Sequence, residues 1–450
     1  MSFASFGFLP FALLFFGGWA WMRHKPGSRD LFLLVSSLIF YGYLEPRYVP
    51  IFMVSGLSSW VFGRLLGANP KKAILIGGLC VDLGILVFFK YSGFMADQLE
   101  ALGLHIPKHS LALPIGISFY TFMSIGYLVD IYKGKIRPEG DIRRYLAYLS
   151  LWPHLVAGPI VRPGELLPQM ALPPNPRAFD GARLIVRGFF KKLVLADNIA
   201  PGVNLAFGTS PTIDGAYWWI AAALFSLQIY FDFSGYTDIA RGMARWIGYE
   251  FPLNFNCPFG ARGIGDFWNR WHISLSSWFR DYVYIPLGGS RRHATFNLLV
   301  TFLLSGAWHG ASWNFVLWGL LHALFVIFER ATRWPERIRW RPAVSLLTCL
   351  AFAFSMVLFR AQSLEQALAI MGQMLRPDSF SLSGIRAIGA SSLLYGLLGA
   401  WFVLIEIAWA ESRDWVQTSY RRLEVYALAA SVVLAVYWRG PGSTFIYFQF

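Results

Sequence analysis

Apolar stretches of membrane-crossing length follow one another through most of the chain, and that succession constrains the fold more than any other feature. A helix rises about 1.5 Å per residue, so crossing a hydrocarbon core about 30 Å thick takes roughly 20 mainly apolar residues. The segments 2–22, 31–48, 49–68, 73–91, 113–132, 184–207, 216–236, 313–329, 342–360, 391–411 and 423–439 have that character. Two others, 145–161 and 295–311, are short or broken by Gly and Pro, and each reads as a re-entrant segment or a short crossing. No alternating strand pattern persists. The expectation is an all-α polytopic membrane protein with 11 to 13 transmembrane helices plus re-entrant and interfacial amphipathic helices. Residues 1–450 would form a single integral membrane domain, with N-terminal helices over 1–110, a chemistry-bearing core over 111–330 and C-terminal helices over 331–450.

Composition agrees. Charged residues make up 14% of the chain, against roughly a quarter in soluble domains. The net charge of +14 does not indicate nucleic acid, because the basic residues sit in short loops between apolar spans. The loops Arg23–Arg29, Asn69–Lys72 and Lys133–Arg144 fall on one side if each earlier candidate crosses once, which makes that side cytoplasmic. Arg330–Arg341 joins them only if 295–311 crosses too. The first apolar run lacks a basic n-region and is followed by Arg23, Lys25 and Arg29, so it reads as an uncleaved span with its N-terminus outside. Cys80, Cys257 and Cys349 are far apart and form no zinc spacing, and Cys80 and Cys349 read as small core hydrophobes.

Chemistry concentrates between residues 230 and 322. Asp266–Leu287 places Trp268, Trp271, Leu275, Trp278, Phe279 and Tyr282 at helical spacing, which predicts one amphipathic helix lying in the membrane interface. A plain anchor explains that pattern, but an anchor has no need of a titratable ring at His272. His309 lies inside an apolar run beside Trp308, Gly306 and Gly310, and ionisable groups within membrane spans are costly enough to mark a site. The flanking glycines would leave room for a ligand. A core histidine bonded to a backbone carbonyl is the competing reading. His322, on the next apolar helix, is either a second polar group of the same cavity or a packing residue. Asp232 and Asp238 lie near Arg241 and Arg245, spaced for an ion-pair network at a helix end. His154 and Arg162 lie in the Pro- and Gly-rich run Pro153–Pro163 and read individually as structural.

Such a site suits acyl transfer. A hydroxyl is a weak nucleophile until a base takes its proton, and a neutral buried imidazole can do so as the oxygen attacks a thioester carbonyl. No HExxH, three-histidine, GxSxG or Walker A pattern occurs, so no metal is expected and an ATP-driven pump is disfavoured.

Several ordered motifs then carry a resemblance: Ser118–Lys133 SFYTFMSIGYLVDIYK, Gly158–Arg162 GPIVR, Phe231–Ala240 FDFSGYTDIA, Asn254–Pro258 NFNCP, Phe267–Gly289 FWNRWHISLSSWFRDYVYIPLGG, Ser305–Gly310 SGAWHG and Phe445–Phe450 FIYFQF. Together they resemble the membrane-bound O-acyltransferases, and within them the group that O-acetylates bacterial alginate. The resemblance covers residues from about 110 to the C-terminus; the first 110 match in hydropathy alone. It implies a ring-like helical bundle, thin at its centre, with funnels from both membrane faces. It implies that His309 of the WHG motif is the essential catalytic residue and that His272 of the RWH motif is a second functional residue near the cytoplasmic entrance. It further implies a bacterial cytoplasmic membrane location and a cytoplasmic thioester donor, acetyl-CoA or an acyl carrier protein, with no tightly bound cofactor. Acyl transfer would cross the membrane to a periplasmic or membrane-anchored partner that modifies a polysaccharide. The D-alanyl transfer protein of teichoic acid synthesis belongs to the same wider family, so D-alanyl transfer is an alternative to acetyl.

On this reading Trp308, Asn314 and His322 line the cavity, and Arg270, Arg280 and Asp281 lie toward the donor. A transporter or flippase remains the alternative from another class, although the inverted repeats it predicts are not evident. A non-catalytic scaffold is the third reading.

Overall fold

A computed structural model describes the chain except for residues 1–2, 4, 6, 105–111, 156–157, 210–212, 377–382, 412–413, 444 and 447–450. The described residues are helical, with no strand. Each long apolar segment singled out above is helical over most of its described length. Among the described residues five helices are long and apolar enough to cross a membrane: Pro46–Ala68, Lys72–Ala101, Trp313–Thr332, Arg341–Arg360 and Ala390–Ala410. Phe8–Met22 and Glu424–Tyr437 are shorter apolar helices. Gly215–Ile247 is 33 residues long, but Gln228, Asp232 and Ser234 on it are buried in protein, so its polar groups meet other side chains and not lipid.

Contacts divide the chain into two compact units, one of residues 1–185 and 237–252, the other of 186–236 and 253–450. In the first unit Trp152 sits in an aromatic cluster with Phe8, Phe11, Phe15 and Phe40 at centroid distances of 5.3–5.6 Å. The 145–161 segment is not one crossing. A helix Ile142–Ser150 is followed by a short helical turn Trp152–Leu155, and residues 158–162 before Pro163 are not helical. Asp141 caps the first of these by accepting from the Arg143 amide at 2.9 Å. His154 is buried with Nε2 3.1 Å from the Tyr148 carbonyl, a structural arrangement.

Asp82, about 15 Å along Lys72–Ala101 from its start, is fully buried. Its oxygens accept from the hydroxyls of Ser55 and Ser59 on Val49–Ala68, at 2.9–3.0 Å. These bonds join two apolar helices where lipid offers no polar alternative. Asp82→Ala is therefore expected to lower stability by about 1–3 kcal/mol, and Asp82→Asn by much less. Thermal unfolding in detergent measures both, and an alanine variant as stable as wild type would show that the bonds contribute nothing.

Two expectations are corrected here. Cys80 is exposed on its helix and is no core residue, because that face of Lys72–Ala101 is not covered by any of the described residues. Of the predicted network of Asp232 and Asp238 with Arg241 and Arg245, Asp232 takes no part. Arg241 and Arg245 both reach Glu250, at 3.5 and 2.9 Å, within the first unit, whereas Asp232 pairs with Lys192 within the second. Glu250 follows the helix end in a bend that brings it back beneath the arginines, a return that spacing on one helix does not show.

Candidate active site

The second unit holds His272, His309 and His322, and it contains a tight helical hairpin. Ala294–His309 and Trp313–Thr332 cross at Gly306 and Gly319, where a side chain on either glycine would overlap the backbone of Phe315 or Phe302. Small residues are what let two helices approach this closely. A Cβ on Gly310 would likewise overlap the Phe315 ring. The glycines beside His309 thus make room for helix packing and an aromatic ring, not for a ligand as expected from sequence.

That hairpin fixes four of the expected residues: Trp308, His309, Asn314 and His322. His309 ends the first helix, 6% exposed, with its ring against Trp308, Trp318 and Phe359 at 5.0–5.1 Å. Trp308 also meets the His272 ring at 6.0 Å, so one indole contacts both histidines. Trp318 plays the same part between His309 and His322, which it meets at 4.6 Å. His322 is anchored through Nε2 to Ser355 Oγ at 2.9 Å. The Ser355 hydroxyl donates to the Phe352 carbonyl at 2.7 Å, so it accepts from His322 Nε2–H. Asn314 donates to the Ala361 carbonyl at 3.1 Å, tying the start of Trp313–Thr332 to the end of Arg341–Arg360.

The predicted helix over Asp266–Leu287 is broken. Ile264–Arg270 stops at Trp271, and a new helix, Ile273–Phe279, begins after His272, followed by a wider turn over Arg280–Tyr284. The backbone of 254–256 causes the break. Asn256 N–H donates to the Arg270 carbonyl and Ile273 N–H to the Asn254 carbonyl, both at 2.9 Å, which removes two groups a continuous helix would use internally. His272 turns the corner in the left-handed region at φ 43°. Such backbone in a non-glycine residue costs on the order of 1 kcal/mol and tends to occur at functional positions. The turn buries the ring, 1% exposed, against Phe233 at 4.7 Å, and burial holds its pKa down at about 3. Asn254 Oδ1 lies 3.2 Å from His272 Nδ1. In the sequence Asn254 stands out only as part of the NFNCP motif; nothing in spacing shows that a residue so far upstream meets the imidazole.

Arg270 and Arg280 are each paired, with Asp266 at 3.0 Å and with Asp281 at 2.8 Å. Both lie partly exposed, away from the imidazole cluster in their described contacts. Among the described residues no group of three His, Cys, Asp or Glu side chains converges to hold a metal ion.

A second feature borders the site. Lys192 Nζ bridges Asp197 and Asp232 at 2.8 and 2.7 Å and donates to the Ser443 carbonyl at 2.9 Å. Asp232 accepts from Ile446 N–H at 2.7 Å, and Phe445 packs on Tyr236 and Phe233, the ring that backs His272. The last described residues are thus tied down beside His272; the rest of the FIYFQF motif lies outside the described residues.

The model of the membrane-bound O-acyltransferase family matches residues 139–365, the span that contains both helices of the hairpin, His272 and Asn254. The chain belongs to the membrane-bound O-acyltransferase family. It is 37% identical over 404 residues to a probable alginate O-acetylase of Azotobacter vinelandii, covering 84% of this chain and 79% of that protein. A peptidoglycan O-acetyltransferase of Helicobacter pylori is 33% identical over 423 residues, 84% of this chain and 79% of its own. A teichoic acid D-alanyltransferase of Bacillus subtilis is 32% identical over 269 residues, 56% of this chain and 68% of its own. As a member of this membrane-bound O-acyltransferase family, the protein is an enzyme that transfers acyl groups to oxygen.

Proposed function

We propose that this O-acyltransferase takes an acetyl group from a cytoplasmic thioester, acetyl-coenzyme A or an acyl carrier protein, and passes it across the bacterial inner membrane for O-acetylation of a polysaccharide such as alginate. The observation that carries the choice of acetyl is the breadth of similarity. Acetyl-transferring relatives cover 84% of the chain, and the D-alanyl-transferring one covers 56%. The peptidoglycan relative supports a polysaccharide acceptor wider than alginate. A periplasmic or membrane-anchored partner completes the delivery.

In the step proposed, His309 accepts the proton of the attacking hydroxyl, the new C–O bond forms at the thioester carbonyl, the C–S bond breaks, and the thiol leaves with a proton. His272 assists in the same cluster. The shared contact of Trp308 with both rings supports this pairing, since acid–base groups must lie within reach of one reacting centre. Trp318 and His322 complete the wall on the other side of His309.

Arg270 and Arg280 are the groups proposed to meet an anionic donor, exchanging their carboxylate partners for its phosphates. Arg270→Gln with Arg280→Gln should raise the KM for the donor several-fold with kcat little changed; an unchanged KM removes them from donor binding.

The test of the function is polysaccharide-bound acetyl in cells lacking the gene, with and without the wild-type chain. Restored acetyl supports the reading. Unchanged acetyl with restored D-alanyl or another acyl group would transfer the reading to that group.

A further inference from the structure

The contact between Asn254 and His272 decides more than packing. Asn254 Oδ1 lies 3.2 Å from Ser274 N, 2.9 Å from Ser274 Oγ and 3.2 Å from His272 Nδ1. A backbone N–H can only donate, so the atom facing Ser274 N must be the amide oxygen; the reversed amide would set two donors against each other. With the oxygen there, His272 Nδ1 must carry a hydrogen and donate it. In a neutral imidazole the other nitrogen is then the acceptor. The same short segment also holds the backbone on both sides of His272, through Asn256 N–H to Arg270 and Ile273 N–H to Asn254. One loop therefore sets the position, the backbone turn and the protonation pattern of one ring.

We infer that Asn254 is a positioning residue for acyl transfer, which fixes the proton of His272 on Nδ1 and presents Nε2 as its basic nitrogen. The inference rests on the reading of His272 as a functional residue. It is distinct from that reading, because Asn254 acts only through His272. A base must offer its lone pair at the reacting centre, and an imidazole with the wrong nitrogen protonated offers an N–H there instead.

Substitutions separate this role from a merely structural one. Asn254→Asp keeps an acceptor for Nδ1–H and for Ser274, and adds a negative charge that favours the imidazolium. Asn254→Leu keeps the volume and removes the acceptor. The full-length protein is labelled with 15N-histidine in detergent, and His272 is assigned by the signal lost in His272→Gln. Wild type should show a neutral ring protonated on Nδ1 across the accessible pH range. Asn254→Asp should show the same tautomer at high pH, with protonation of the ring moved up into that range. Asn254→Leu should lose the Nδ1–H signature.

Polysaccharide-bound acetyl is measured in complemented cells at matched membrane levels. Asn254→Asp should stay within a few-fold of wild type, and Asn254→Leu should fall at least about tenfold, as should His272→Ala. An unchanged tautomer in Asn254→Leu overturns the inference, and so does an equal loss in the Asp and Leu variants. Should His272→Ala retain full acetyl transfer, the functional reading of His272 fails instead, and the spectra still decide whether Asn254 sets its proton.

Discussion

Replacing His309 with alanine is expected to cut acyl transfer by about 10²–10⁴-fold, the range a positioned general base contributes. The ring also fills space between Trp318 and Phe359, so alanine leaves a void in an aromatic core and lowers stability as well. His309→Gln separates the two effects, because it retains volume and hydrogen bonding but cannot take a proton at neutral pH. Both variants should lose polysaccharide-bound acetyl at matched membrane levels. Full activity in His309→Gln would exclude His309 as the base and leave it a packing residue of the hairpin.

Lys192→Met should strongly destabilise the second unit. Lys192 is 7% exposed and lies between Asp197 and Asp232, themselves 1% and 2% exposed. Removing the cation leaves two carboxylates facing each other in the interior, at a cost of roughly 3–5 kcal/mol. The docking of the chain end depends on the same group, since Ser443 and Ile446 are held by Lys192, Asp197 and Asp232. The variant is therefore expected to unfold at a markedly lower temperature in detergent and to lose its C-terminal residues to protease first. Lys192→Arg, which keeps the charge, should recover much of both. A methionine variant with wild-type melting and protection would show that the triad does not hold the tail.

These two residues differ in how visible they are along the chain. His309 stands out because an ionisable group in an apolar run is costly, and that cost is local. Lys192 looks like one of many basic residues near a span end. Its importance comes from partners at 197, 232 and 443 that only folding brings together.

Solvent and element type are legible along the chain: long apolar runs require a bilayer, and in a bilayer the backbone must satisfy its own hydrogen bonds, which selects helices. The sequence also marked His272 and His309 and, through ordered motifs, the family. Tertiary structure alone decided the rest. The break at His272 depends on backbone groups of 254–256 pairing across it, which a periodic aromatic pattern cannot anticipate. The glycines near His309 serve a helix crossing, because what occupies the space above a glycine belongs to another part of the chain. Asn254 gains its role from a contact with a residue eighteen positions further along the chain. Solvent cost and helical period act over a few neighbouring residues and can be read in order, whereas the pairing of polar groups depends on which distant segments meet.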